Sequence, residues 1–173
     1  MKRWQKISCS ILALGLVAIL SIMILRLEST GRDCDLCKQI PSLESGWVLL
    51  YPGLVGCSQK CPLALANMAK LKEGLVGTKL QFYYLISDPF VEESEVIDYL
   101  LPYQNSLSIK PLMLANDTKT LRTLGVYNPV HPNLQKKDIH NDHFILIPPN
   151  RKKLYFLGRL DLNSVSNLIL EEN

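Results

Sequence analysis

A chain of 173 residues, 47% of them hydrophobic, is long enough for one domain with its own core and leaves little room for a second. Its formal charge of +3 is an end effect: Lys2, Arg3, Lys6 and Arg26 stand near the N-terminus with no acid among them, and the remainder carries −1. Nothing in that balance suggests a nucleic-acid surface. The sequence also lacks G-x-S-x-G, Walker, H-E-x-x-H and Gly-rich dinucleotide motifs, which sets hydrolase and nucleotide-binding chemistry aside.

From Ile7 to Leu25 the chain is uncharged and mostly apolar, with the length of a bilayer-crossing helix, so residues 1–26 are predicted to be an N-terminal membrane anchor. The following "RLESTGRD" offers no small-residue cleavage site of the kind that a signal peptide needs. Basic residues stay on the cytoplasmic side, which places the rest of the chain outside the membrane, best matched by a bacterial inner-membrane protein with its C-terminal domain in the periplasm. Cys9 lies within the anchor and reads as a small apolar side chain.

Residues 27–45 are polar and interrupted by Gly31 and Pro41; they read as a tether that carries Cys34 and Cys37, with the domain proper at 46–173. Trp47 to Tyr51 is a continuous apolar run typical of a strand buried on both faces, and Pro52, Gly53 and Gly56 carry the chain through a loop. Leu65, Met68, Leu71 and Leu75 then recur at near-helical spacing behind Pro62, predicting a helix from about Cys61 to about Gly74. Met68 belongs to the apolar stripe of that helix and reads as core.

"LQFYYLI" from Leu80 predicts a second buried strand, and the apolar spacing after Asp88-Pro89 predicts a helix from about Glu92. "PLMLA" (111–115) predicts a third strand, followed by a short helix capped by Asn116 or Asp117 and ended by Gly125. After a Pro- and Asn-rich loop from Asn128 to about Asp138, "FILI" (144–147) and "KKLYFL" (152–157) flank a turn and predict an antiparallel hairpin; Asn163 is the expected cap of a last helix to Leu170. This order, β-α-β with parallel strands and then a hairpin and a final helix, predicts an α/β thioredoxin-like fold, a central mixed sheet flanked by helices.

The chemistry concentrates in "GCSQKCP", residues 56–62. Cys57 at a helix entry and Cys61 one turn inside face one point, and a helix N-terminus with Lys60 alongside favours their thiolate forms. Two thiolates are soft ligands suited to Cu(I), zinc or an iron–sulfur centre; zinc in a structural site wants four protein ligands, so a three-coordinate Cu(I) site completed by a histidine is the economical reading. A structural disulfide here would close so short a loop that it adds little stability.

"YPGLVGCSQKCPLALANM" resembles the Sco/SenC family of copper chaperones, thioredoxin-fold proteins with a Cys-x3-Cys-Pro site behind a strand and one N-terminal helix as tether. Tyr51, Gly53, Cys57, Cys61, Pro62, Leu65 and Met68 fall where that pattern has such residues, and the likeness continues through Asp88-Pro89 and Val126-Tyr127 over nearly all of 47–170. The resemblance implies copper as the bound metal and a copper-accepting oxidase subunit as the partner, through delivery of copper to, or thiol maintenance of, the CuA site of cytochrome c oxidase. Two departures stand out. Ser58, Gln59 and Lys60 replace the Pro and acid usual between the cysteines, and Phe90, Val91 and Glu92 replace the acid and threonine expected after Asp88-Pro89.

The third ligand is His140 or His143. Asp142-His143 preserves an Asp-His dipeptide of the family, whereas counting back without gaps from Gly158 places His140 in the ligand position; strand register is harder to alter than loop length, which favours His140. His143 stands just before "FILI", where thioredoxin-type oxidoreductases carry a proline that faces their cysteines. His131, in "NPVHPN", reads as an ordinary polar group. Two other functions fit the same sequence: a thiol-disulfide oxidoreductase with Cys57 as nucleophile and Cys61 resolving, and an interaction protein that docks on a membrane complex without metal. Cys34-Asp35-Leu36-Cys37 is open to copper acceptance, disulfide exchange with the first pair, or a local bridge of its own.

Overall fold

The strand Trp47–Gly53 (β2) is buried along almost its whole length because it is covered on both edges and both faces. It pairs in parallel with Leu80–Ile86 (β3), from Trp47 opposite Leu80 to Gly53 opposite Ile86, and antiparallel with Phe144–Ile147 (β5). The computed structural model describes residues 31–34, 37, 46–114, 117–124, 126 and 143–172. Beyond β3, Lys110–Met113 (β4) continues the parallel set; beyond β5, Lys153–Leu157 (β6) and the two-residue Arg32–Asp33 (β1) continue antiparallel, for an order β1-β6-β5-β2-β3-β4.

Strand alternation sorts the core into two layers. Trp47, Leu49, Tyr51, Phe82, Tyr84, Ile86, Phe144 and Leu146 face one cluster. Onto this face packs Lys60–Gly74 (α1) with Cys61, Ala64, Leu65, Met68 and Leu71, the i, i+3, i+4 spacing of a helical stripe. Glu93–Leu100 (α2) adds Val96 and Leu100, Gln104–Leu107 (α3) adds Leu107, and Leu162–Glu172 (α5) adds Val165, Leu168 and Ile169. Val48, Leu50, Tyr83, Leu85, Ile145, Ile147 and Leu154 face the other cluster, covered by Leu121 of Thr118–Thr123 (α4) together with Leu124 and Val126.

Local chemistry sets the ends. A capping box between Glu92 and Glu95 starts α2 where the sequence places it, and Asp117 caps α4 by accepting from the Thr120 N–H at 3.0 Å. The last helix begins at Leu162, ahead of the expected Asn163 cap, because the Asp161 carboxylate accepts from the Ser164 N–H at 2.9 Å and from its hydroxyl at 2.7 Å. The hairpin turn closes through Arg151 N–H to the Pro148 carbonyl at 3.0 Å, with Arg151 in the left-handed region at φ 56°.

The start of the domain also differs from the expected one. The compact unit begins at Gly31, ahead of residue 46: β1 pairs Arg32 with Leu154 and Asp33 with Lys153, and the Cys34 N–H donates to the Lys152 carbonyl at 2.7 Å. Cys34 and Cys37 form the local bridge, a disulfide buried in the second cluster against the sheet. Part of the predicted tether is therefore an integral edge of the domain. The bridge closes a loop of separation 3, so its loop-closure term is at the low end for a disulfide, about 2 kcal/mol. A Cys34→Ala/Cys37→Ala variant is expected to lose about that much stability, read from its denaturant midpoint at unchanged m-value.

The predicted anchor over Ile7–Leu25, Gly125, His131 and His140 lie outside the described residues. Among the described residues no helix is long and apolar enough to cross a membrane.

Candidate functional site

The loop between β2 and α1 is shaped by glycine at two points. Gly53 lacks the side-chain atom that would otherwise sit 2.1 Å from the Tyr84 ring, so the ring lies directly over the backbone there and its hydroxyl donates to the Leu54 carbonyl at 3.0 Å. Gly56 adopts φ +81°, a left-handed turn that sends the chain into the cysteine pair. Cys57 is half-buried at the loop's end and Cys61 is fully buried in the first turn of α1; both are free thiols.

Helix α1 has no side-chain cap at Gln59. Instead the Cys61 N–H, one of the donors that a helix leaves unsatisfied at its start, points at Cys57 Sγ at 3.5 Å. This contact gives the two thiols opposite character. Burial alone would raise the Cys57 thiol, but backbone N–H groups of Cys61, Gln59 and Lys60 and the Cys61 thiol together hold it below the usual thiol range. Burial pushes the Cys61 thiol up, against the opposing influence of the nearby Tyr84 hydroxyl and the Leu54 backbone.

An aromatic wall backs the pair. Tyr51, the register partner of Tyr84, holds its hydroxyl 4.0 Å from Cys61 Sγ, and its ring lies 6.1 Å from that of Tyr84 and 5.0 Å from Phe144. Tyr99 of α2 packs 5.8 Å from Tyr84 and donates to the Cys57 carbonyl at 2.9 Å. Burial, with the cysteines nearby, pushes the Tyr84 and Tyr99 phenols far above their ordinary range, so both remain donors at any physiological pH. Met68 is fully buried in the same core, as its place on the helical stripe implies.

The structure brings Cys57 and Cys61 together and describes His143 elsewhere. His143 immediately precedes β5, and its ring meets Phe156 edge-on at 5.1 Å. Phe156 pairs with Ile145 and packs on the second cluster, across the sheet from Cys61. Among the described residues no three His, Cys, Asp or Glu side chains converge as a metal cluster. Tyr84 and Tyr99 are the site residues that the motif reading missed. The signal for Tyr84 was present: alternation in "LQFYYLI" puts Phe82, Tyr84 and Ile86 on one face, the face that carries Tyr51.

The asymmetry of the thiols makes a direct prediction. In the folded protein with its Cys57–Cys61 pair reduced, iodoacetamide is expected to modify Cys57 first and to keep doing so at pH values where an ordinary cysteine is protonated, because a lowered thiol titration leaves more thiolate as pH falls. Buried Cys61 should lag, and Cys34 and Cys37 should react only after unfolding and reduction. Mass mapping of the alkylated peptides over a pH series reads all of this.

No family model matches the sequence, and no curated protein matches it. Solved structures match in fold. Yeast Sco1 with copper bound is 22% identical, with 78% of this chain and 78% of that chain covered at a TM-score of 0.58. Arabidopsis thaliana ScoI with copper bound is 20% identical, with 77% and 87% covered at 0.59. The thioredoxin domain of a thiol-disulfide oxidoreductase from Bacteroides vulgatus is 19% identical, with 72% and 80% covered at 0.50. The fold is thioredoxin-like, and it resembles that of the Sco proteins.

Proposed function

We propose that this protein is a membrane-anchored copper chaperone of the Sco/SenC kind. It would take Cu(I) as cargo on Cys57 and Cys61 with one histidine, and pass it by ligand exchange to an oxidase subunit for assembly of a CuA site. The observation that carries the reading is the pair itself: two free thiols at one helix mouth, one reachable from solvent and one buried against tyrosines. Soft thiolates suit Cu(I), and the half-buried Cys57 gives an incoming ligand its point of entry. Reduction of the pair is a precondition, because a disulfide offers no thiolate.

His140 is the proposed third ligand. Counting back without gaps from Gly158 puts it in the ligand position, while His143 packs edge-on against Phe156, which lies on the second cluster, across the sheet from Cys61. Location in a bacterial inner membrane, with this domain in the periplasm, is supported by the basic residues ahead of the apolar segment and by the Cys34–Cys37 disulfide, a bond that persists in oxidising compartments.

The unequal thiols favour a second reading, a thiol-disulfide oxidoreductase. Cys57 thiolate would attack a partner disulfide to form a mixed disulfide and release one partner thiolate; Cys61 would then attack Cys57 Sγ, release the second and leave the Cys57–Cys61 disulfide, two electrons having passed to the partner. His143, where such enzymes place a proline facing the cysteines, weighs against it. The two readings part in one experiment on the reduced protein: the chaperone binds Cu(I) tightly and binds it more weakly in His140→Ala, while its reduction of a model disulfide stays slow. Fast disulfide reduction, equal in parent and His140→Ala, together with weak copper, would establish the oxidoreductase instead.

A further inference from the structure

A buried tyrosine hydroxyl needs a hydrogen-bond partner, and most such partners are incidental to function. Tyr83, which faces the second cluster, reaches Gln81 Oε1 at 3.3 Å, and Tyr155 bonds to Glu172 at the far end of α5. Three others behave differently. Tyr51 comes from β2, Tyr84 from β3 and Tyr99 from α2, yet their hydroxyls converge on one short stretch: on Cys61 Sγ at 4.0 Å, the Leu54 carbonyl at 3.0 Å and the Cys57 carbonyl at 2.9 Å. Gly53 leaves room for the Tyr84 ring to make its contact.

We infer that Tyr84 and Tyr99 are positioning residues that fix the 54–61 loop from two separate elements, with Tyr51 lining Cys61, and so hold the two sulfurs in mutual reach. Within the loop the Cys57 N–H reaches the Leu54 carbonyl at 3.2 Å and the Cys61 N–H reaches Cys57 Sγ at 3.5 Å, alongside the Gln59 and Lys60 N–H groups that also face that sulfur. These contacts are long, and Tyr84 and Tyr99 each add a shorter one, the first from a fully buried ring and the second from a partly buried ring packed against the core. A two-thiol site takes its affinity from ligands already set at the right separation, which is what such anchoring supplies. The inference deepens the chaperone reading and rests on Cys57 and Cys61 being the working pair.

The test uses the full-length reduced protein in detergent, with Tyr84→Phe, Tyr99→Phe and, as the control for loss of a buried hydroxyl away from the site, Tyr155→Phe. Amide hydrogen exchange at Cys57, Cys61 and Leu63 is expected to accelerate about tenfold in Tyr84→Phe and in Tyr99→Phe, the effect of one lost hydrogen bond. Exchange at these amides should stay within about twofold of the parent in Tyr155→Phe, whatever happens to its overall stability. Cu(I) affinity should fall by about tenfold in the same two variants. Should Tyr84→Phe fail to fold, Tyr99→Phe decides alone. Unchanged loop exchange in the site variants, or equal acceleration in Tyr155→Phe, would overturn the inference. Absence of tight copper in the parent would instead remove the chaperone reading and leave the exchange result to decide the tyrosines.

Discussion

Cys61→Ala and Cys57→Ala are each expected to weaken Cu(I) retention by more than about 100-fold, beyond what loss of a supporting residue around a metal causes. The two losses should be of similar size in copper binding and unequal in everything else. Cys61 is wholly buried beside Tyr51 and packs with Leu65 and Met68, so its truncation opens a small gap in the core. Cys57 is half-buried and packs less, but its sulfur accepts from the Cys61 N–H at the unsatisfied start of α1, and Cys57→Ala leaves that donor without its acceptor. Competition against a Cu(I) chelator of known affinity measures the first effect, and thermal unfolding of the metal-free variants the second. Retention of tight copper in either variant would remove that cysteine from the site.

Gly53→Ala is the substitution with the largest expected cost to the fold. The added methyl would sit 2.1 Å from Tyr84 Cζ and 2.2 Å from its hydroxyl oxygen, far inside contact distance. The ring has no exit, being fully buried between Tyr51 and Tyr99. Either the strand end or the ring must move, at about 1–3 kcal/mol or more. Because the clash involves the ring as well as the hydroxyl, Tyr84→Phe should not rescue it, whereas Tyr84→Leu should recover part of the loss. Gly158→Ala, with nothing within 4 Å of the added methyl, is the control and is expected to be close to neutral. Urea midpoints across the four variants test the ranking.

Much of this architecture was legible because its strands are buried on both faces. "WVLLY", "LQFYYLI" and "FILI" are mainly apolar runs bounded by turn residues, and each forms a strand; the first runs on through Pro52 and Gly53, expected as loop, because both stay in register with Leu85 and Ile86. The cysteine pair was legible for a different reason, since Pro62 marks the first turn of a helix and so fixes which side of that turn both thiols occupy. The edge escaped. Arg32–Asp33 is two charged residues long, has no periodicity, and joins the sheet only because β6 presents a free side and the Cys34–Cys37 disulfide holds the chain in place. The last helix starts early because Asp161 competes successfully with Asn163 for the cap. Tyr99 was invisible as a site residue: its hydroxyl reaches Cys57 from 42 positions away, a contact that only the packing of α2 creates.

Because β1 and the Cys34–Cys37 bridge are part of the domain, the central claim is best tested on the full-length chain, reduced at Cys57 and Cys61, held in detergent and titrated anaerobically with Cu(I) against a competing chelator. His140→Ala and His143→Ala are titrated alongside. One tightly held copper per chain is expected, weakened about 10–100-fold or more by His140→Ala and left unchanged by His143→Ala. No tight copper in the reduced parent would contradict it.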